Sequence, residues 1–139
     1  MADSIQLDVI TPERSVLSET VDFVSVPGLG GELGILPGHT PLISQLQTGV
    51  LTYTQGPATE RLLVSGGFVE VSNDRVSVLA DMAERAEEID PTTARQMCEQ
   101  AERSLAAFTG EEADFERACN ELARAAARLQ LAEQNAPRG

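Results

Sequence analysis

The character of the chain changes once, near Ala83, and that change limits its folds more than any other feature. Before it, short segments of alternating apolar and polar residues are interrupted by glycine and proline; nine of the eleven glycines lie before residue 86. Ile5, Leu7 and Val9 alternate with Gln6 and Asp8, the period of a half-buried strand. VDFVSV (21–26) stops at Pro27-Gly28, GVLTYT (49–54) at Gly56-Pro57, and RLLVS (61–65) at Gly66-Gly67. FVEV (68–71) and RVSVLA (75–80) flank Ser72-Asn73-Asp74, the composition of a hairpin loop. Short strands so closely spaced predict a β-sandwich or flattened barrel.

From Ala83 onward the chain is rich in Ala, Glu, Arg, Leu and Gln, all good helix formers. Asp90-Pro91 is a helix start, because Asp can cap the free N–H groups and Pro is tolerated at the first helical position. Ala94, Met97, Cys98, Ala101, Leu105 and Phe108 recur at helical spacing, and Thr109-Gly110 is expected to end that helix. A second helix is expected from Ala113 to Gln134, with Phe115, Ala118, Cys119, Leu122, Ala125, Ala126 and Leu129 on one face. The short turn between the two makes them antiparallel. The reading is thus an α+β chain in two parts, a β-sandwich over 1–86 and a two-helix hairpin over 87–139.

Apolar residues make up 42% of the chain, enough for a core, although there are only four Phe, one Tyr and no Trp. The formal net charge is −12, and all ten basic residues are Arg. It is spread over both parts: 4 Arg against 11 acids in 1–86 (−7), and 6 against 11 in 87–139 (−5). Such a surface disfavours nucleic acid and anionic lipid as partners. No apolar run approaches the roughly 20 residues that cross a bilayer. The beginning MADSIQLDVI lacks the basic and apolar regions of a signal peptide, so a cytoplasmic home with reduced Cys98 and Cys119 is expected.

Little in the sequence points to catalysis. His39 is the only histidine, and there is no GxSxG elbow and no CxxC or HExxH metal spacing. PGLGGELGILPG lacks the Lys-Ser/Thr of a phosphate-binding loop, so its glycines are read as turn residues and His39 as a structural hydrogen-bonding group among them. No catalytic residue and no metal ligand is assigned. On a helical wheel Arg117, Arg124 and Arg128 share one stripe about 16 Å long, away from the apolar seam, with Glu121 beside them. That stripe is either a solvated face with Arg–Glu pairs or a site for an anion or an acidic partner.

The stretch from Gly31 to Leu42, GELGILPGHTPL, followed by SGGFVEV (65–71) and VSVLAD (76–81), resembles the epsilon subunit family of bacterial F-type ATP synthases. The resemblance includes LDVITPE (7–13) and ADFERACNELARAAARLQ (113–130), so it runs the length of the chain. It implies a sandwich of about ten strands and a helical hairpin. It also implies a non-catalytic place on the central stalk, bound to the gamma subunit and resting on the c-ring, at the cytoplasmic face of the bacterial inner membrane. The sandwich would then turn with the rotor and help couple proton flow to ATP synthesis. Glu32, Gly34 and His39 are the candidates for the c-ring end; the face that grips gamma is left open.

The hairpin is implied to be a regulator that opens toward the alpha and beta subunits of the catalytic head and obstructs ATP hydrolysis, with Arg117, Arg124 and Arg128 as its candidate contacts. Some family members bind ATP in the closed hairpin through Ile/Leu-Asp-x-x-Arg-Ala and arginines of the second helix. The matching stretch is Ile89-Asp90-Pro91-Thr92-Thr93-Ala94, in which Thr93 replaces the Arg and offers no charged fork to phosphate. Glu84, Asp90, Arg124 and Arg128 match the remainder, so the resemblance implies at most a weak regulatory ATP site and no resident cofactor.

Overall fold

The computed structural model describes residues 4–135, and the chain divides into two compact units between Arg85 and Ala86. The first unit holds ten strands: β1 (Ile5–Ile10), β2 (Ser15–Val21), β3 (Phe23–Gly28), β4 (Gly31–Ile35), β5 (Leu42–Gln45), β6 (Gly49–Gln55), β7 (Ala58–Ser65), β8 (Phe68–Ser72), β9 (Arg75–Leu79) and β10 (Met82–Arg85). They form two five-stranded sheets, ordered β2-β1-β9-β8-β5 and β10-β7-β6-β3-β4. Every pairing is antiparallel except β1 with β9, which run parallel from Gln6↔Arg75 to Ile10↔Leu79 and so tie the start of the unit to its end.

The inward positions of the two sheets make one core. Leu7, Val9, Val24, Val26, Leu51, Val64, Val69, Val76 and Val78 are completely buried in it. Alternation dictates this: in β9, Val76 and Val78 point inward while Arg75 and Leu79 point out. The β8–β9 hairpin turns on Asn73 and Asp74, both at positive φ (51° and 58°), the conformation of a two-residue primed turn that matches strand twist.

The strands differ from the sequence expectation in three ways. The expected 21–26 strand is divided, because Asp22 leaves the ladder: its N–H bonds the Thr54 carbonyl and its carboxylate accepts from the Gly56 N–H. Strands β2, β4 and β5 carry no alternation clear enough to announce them. The change to helix formers at Ala83 does not start a helix, because Met82–Arg85 pairs with Ser65–Leu62 as an edge strand. There Ala83 is buried and Arg85 donates to the Val16 carbonyl at 2.7 Å, so tertiary pairing overrides local propensity.

The second unit begins with a 3-10 turn at Ala86–Glu88, followed by α1 (Pro91–Ala106) and α2 (Glu112–Asn135), which pack against each other; α2 also meets the 3-10 turn. Helix α1 ends at Ala106, before the expected Thr109-Gly110 stop. Its last turn closes through Ala107 N–H to the Arg103 carbonyl, and Phe108 folds back to lie 5.7 Å from the Phe115 ring. Gly110 then serves clearance rather than left-handed geometry, since a Cβ there would meet the Phe108 ring at 2.7 Å.

Candidate interaction surfaces

The outer face of the β2-β1-β9-β8-β5 sheet carries two contrasting regions. In register across it, Ile10 faces Leu79, and Leu79 faces Phe68. These three side chains are 41%, 51% and 49% exposed, and Ile43 on β5, opposite Glu70, is 69% exposed. An apolar strip across three adjacent strands is the kind of surface that marks a protein contact, unlike single exposed leucines. Sequence reading did not single these residues out, yet a signal was present. In RVSVL and QLDVI the apolar residue at the strand end falls on the parity that should be polar.

Beside the strip lies a polar cluster. Asp8 accepts from the Ser18 hydroxyl at 2.7 Å and from the Gln6 amide at 3.2 Å, and lies 3.9 Å from the Arg75 guanidinium. The Ser18 hydrogen bond, supported by Gln6 and Arg75 and partly opposed by desolvation, holds the Asp8 carboxyl below the usual range.

The c-ring candidates lie on β4 and in the loop after it. Glu32 stands opposite Pro27, and its carboxylate accepts a hydrogen bond from the Ser25 hydroxyl. Gly34, two residues along the strand, leaves room for the Phe23 ring, which a Cβ would meet at 3.3 Å. His39 is exposed, with Nδ1 2.7 Å from the Thr40 carbonyl and its backbone N–H bonded to the Leu36 carbonyl, the structural role expected of it. The same loop is tied to the β8–β9 turn by the Gly38 N–H, which donates to Asp74 at 2.7 Å. Leu29 and Leu36 at this end are both exposed.

In the second unit the three arginines have different surroundings. Arg117 is exposed and paired with Asp114 at 3.4 Å, one helical turn away. Arg124 and Arg128 instead line a groove of about 310 Å³ between the helices, with Met97, Gln100, Ala101, Ser104 and Glu121. Arg128 is half-buried, and its Nη1 donates to the Met97 sulfur at 3.6 Å. A wheel locates Cα atoms only; a long arginine stem can bend over the seam and carry its head to the neighbouring helix. Met97, expected on the seam, is 47% exposed at its edge, because the seam runs through Ala94, Cys98, Ala101 and Leu105. Cys98 is buried there, and desolvation, with Glu102 adding to it, pushes its thiol up.

The residues of the ATP motif are otherwise engaged. Asp90 is the N-cap of α1 and accepts from the Thr93 N–H at 3.0 Å and the Thr93 hydroxyl at 2.7 Å. Those bonds, the hydroxyl's first, hold its carboxyl below the ordinary value. Neither residue lines the groove that holds Arg124 and Arg128. Glu84 lies on β10 in the first unit, opposite Leu63. Among the described residues no group of three or more His, Cys, Asp or Glu could hold a metal ion, and no helix is long and apolar enough to cross a membrane.

Residues 4–86 match the family described as ATP synthase, Delta/Epsilon chain, beta-sandwich domain, and residues 87–133 match its long alpha-helix domain. The chain belongs to the ATP synthase delta/epsilon family. It is 47% identical over 131 residues to the ATP synthase epsilon chain of Nitratidesulfovibrio vulgaris, covering 94% of this chain and 97% of that one. To the epsilon chain of Carboxydothermus hydrogenoformans it is 53% identical over 109 residues, covering 78% and 81%.

Among solved structures, it is similar to a chain of the Euglena gracilis mitochondrial ATP synthase in an OSCP/F1/c-ring assembly, with a TM-score of 0.81 and 25% identity, covering 96% of this chain and 83% of that one. A chain of the Tetrahymena thermophila central stalk/c-ring assembly shares the fold at a TM-score of 0.66 and 14% identity, covering 92% and 96%. The ten-strand sandwich followed by two helices agrees with the family's two domains. Along nearly its whole length the chain is thus similar to ATP synthase epsilon chains, and it shares their family's two-domain fold.

Proposed function

We propose that the chain is a non-catalytic rotor subunit that grips the gamma subunit through the outer face of the β2-β1-β9-β8-β5 sheet. The observation that carries this is the apolar strip of Ile10, Leu79 and Phe68, with Ile43 on the same face. Covering such a strip removes apolar area from water at roughly 25 cal/mol per Å². The polar cluster around Asp8 supplies directional groups beside it. On this reading the end bearing Glu32, Gly34 and His39 meets the c-ring, and the subunit works at the cytoplasmic face of the bacterial inner membrane. Turning with the stalk, it couples proton flow to ATP synthesis.

The strip is tested by mixing purified gamma subunit with the chain carrying Phe68→Asp and Leu79→Asp. Association falls at least about a hundredfold, since desolvating a charge in an apolar contact costs several kcal/mol. Unchanged association places the grip elsewhere. Both side chains are exposed, so the variant retains its fold, which circular dichroism checks.

The hairpin is the regulatory part of this reading: when opened, Arg117, Arg124 and Arg128 engage acidic surfaces of the alpha and beta subunits and obstruct hydrolysis. A second reading, regulatory ATP binding, is favoured by one observation, the convergence of Arg124 and Arg128 on a groove. Position 93 gives no cation, and Asp90 is committed to its cap, so this binding is weak. Calorimetry with millimolar ATP decides it: heat that disappears in Arg124→Ala supports it, and absence of heat removes it.

A further inference from the structure

Met97 is a half-exposed side chain on α1 that borders the groove and also meets a charged group of α2. Its sulfur accepts the Arg128 N–H at 3.6 Å, the geometry of a weak sulfur acceptor before a cation. It stands off the helix–helix seam, which Ala94 and Cys98 fill without it. The groove opens beside it, so a small oxidant can reach the thioether. Met82, on β10, is less exposed.

We infer that Met97 is a reversible oxidation site whose sulfoxide is held across the helix pair by the Arg128 guanidinium. The reaction needs a hydroperoxide. A sulfur lone pair attacks the terminal peroxide oxygen, the O–O bond breaks, an S–O bond forms, and the remaining oxygen leaves as water or an alcohol after taking up the proton. Sulfur loses two electrons and the peroxide gains them. In most cores a sulfoxide disrupts apolar packing. Here the new oxygen emerges into a groove already lined by Arg128, and a sulfoxide oxygen is a far better acceptor than a thioether, giving a charge-assisted bond of about 2.9 Å. Oxidation therefore fastens α1 to α2 instead of loosening them. The neighbouring Cys98 does not compete effectively, because it is buried and its thiol stays protonated. Reduction by a methionine sulfoxide reductase reverses the change. Met97 chemistry is independent of the regulatory reading; on that reading, an oxidised hairpin is harder to open.

The test uses the full chain treated with tert-butyl hydroperoxide and then dithiothreitol, which returns oxidised thiols to the reduced state and leaves the sulfoxide. Peptide mapping follows Met97 and Met82, and thermal melts follow the helix signal. Met97 is expected to convert at least about fivefold faster than Met82. The oxidised chain is expected to melt no lower than the reduced one, whereas oxidised Arg128→Ala melts below its reduced form, and oxidant leaves the melt of Met97→Leu unchanged. Equal conversion of Met82 overturns the site. A lower melt of the oxidised natural chain, or the same response with and without Arg128, overturns its capture by the guanidinium. Should Arg128→Ala not form the hairpin, Arg128→Gln serves the same comparison with a neutral donor, and there the oxidised form again melts below the reduced one.

Discussion

The sandwich and the hairpin are built from different side chains, and the difference explains what each can do. The sandwich buries whole Val, Leu and Ile residues from both sheets, each worth about 1.5–3 kcal/mol relative to exposure. Along α1 the buried residues are Ala94 and Cys98, and on α2 they are Leu131 and Ala132, most of its other described residues being exposed. Among the described residues of that unit, the large aliphatic side chains that are buried are Ile89 and Leu131. A sheet pair of this kind resists rearrangement, since each strand is fixed by its neighbours' hydrogen bonds and by close packing. A helix pair seamed with small residues has less to lose when its helices separate, which suits the second unit to switching and the first to bearing load.

The strongest way to break this contrast is to cut equivalent amounts of side chain from each unit. Leu51→Ala in the sandwich core is expected to cost about 2–5 kcal/mol and to lower the denaturant midpoint of the β signal markedly. Leu122→Ala, at a half-buried position on α2, is expected to cost less than about 2 kcal/mol and to leave that midpoint unchanged. Equal losses would show that the hairpin is as tightly built as the sandwich.

A backbone substitution sharpens the same comparison. Gly67 has φ +92°, and a Cβ there would run into the Leu79 carbonyl. Gly67→Ala is therefore expected to cost on the order of 2–3 kcal/mol in sandwich stability. Gly110→Ala, which meets only the movable Phe108 ring, is expected to shift the helix signal slightly and the β signal not at all.

The smallest effects concern two carboxylates, one in each unit. Asp8 and Asp90 both have folded values below the ordinary 3.8. Their stabilising contributions are thus fully present above that value and are lost as pH falls through the lower folded one. Acid titration followed by carboxyl NMR is expected to move the Asp8 transition upward in Ser18→Ala, and the Asp90 transition upward in Thr93→Val. Asp90→Ala should lower the helix melt alone, by removing the N-cap. A loss of β signal in that variant would mean that the units are not separable in stability.

What was legible in the sequence follows the same division. Strands with clean alternation, such as β1, β8 and β9, can be read directly, as can the Asp90-Pro91 helix start, because local chemistry and tertiary role agree there. Strand β10 could not be read, since Ala-Glu-Arg favours helix and only pairing with β7 makes it extended. Candidate sites divided likewise. Asp90 and His39 have local hydrogen-bond roles that spacing reveals. The grouping of Ile10, Leu79 and Phe68 depends on the parallel β1–β9 pairing, which brings together residues 69 positions apart in the chain (79 − 10). The separation of Arg117 from Arg128 depends on where long side chains bend, which a wheel does not contain.

In the function proposed above, the first unit joins the rotor and the second restrains it. This division of roles is tested most directly by assembling ATP synthase with this chain ended at residue 87 and measuring ATP hydrolysis alongside proton-driven synthesis. The account predicts retained assembly and synthesis with faster hydrolysis. An enzyme that fails to hold the truncated subunit, or that hydrolyses ATP at the unaltered rate, would contradict it.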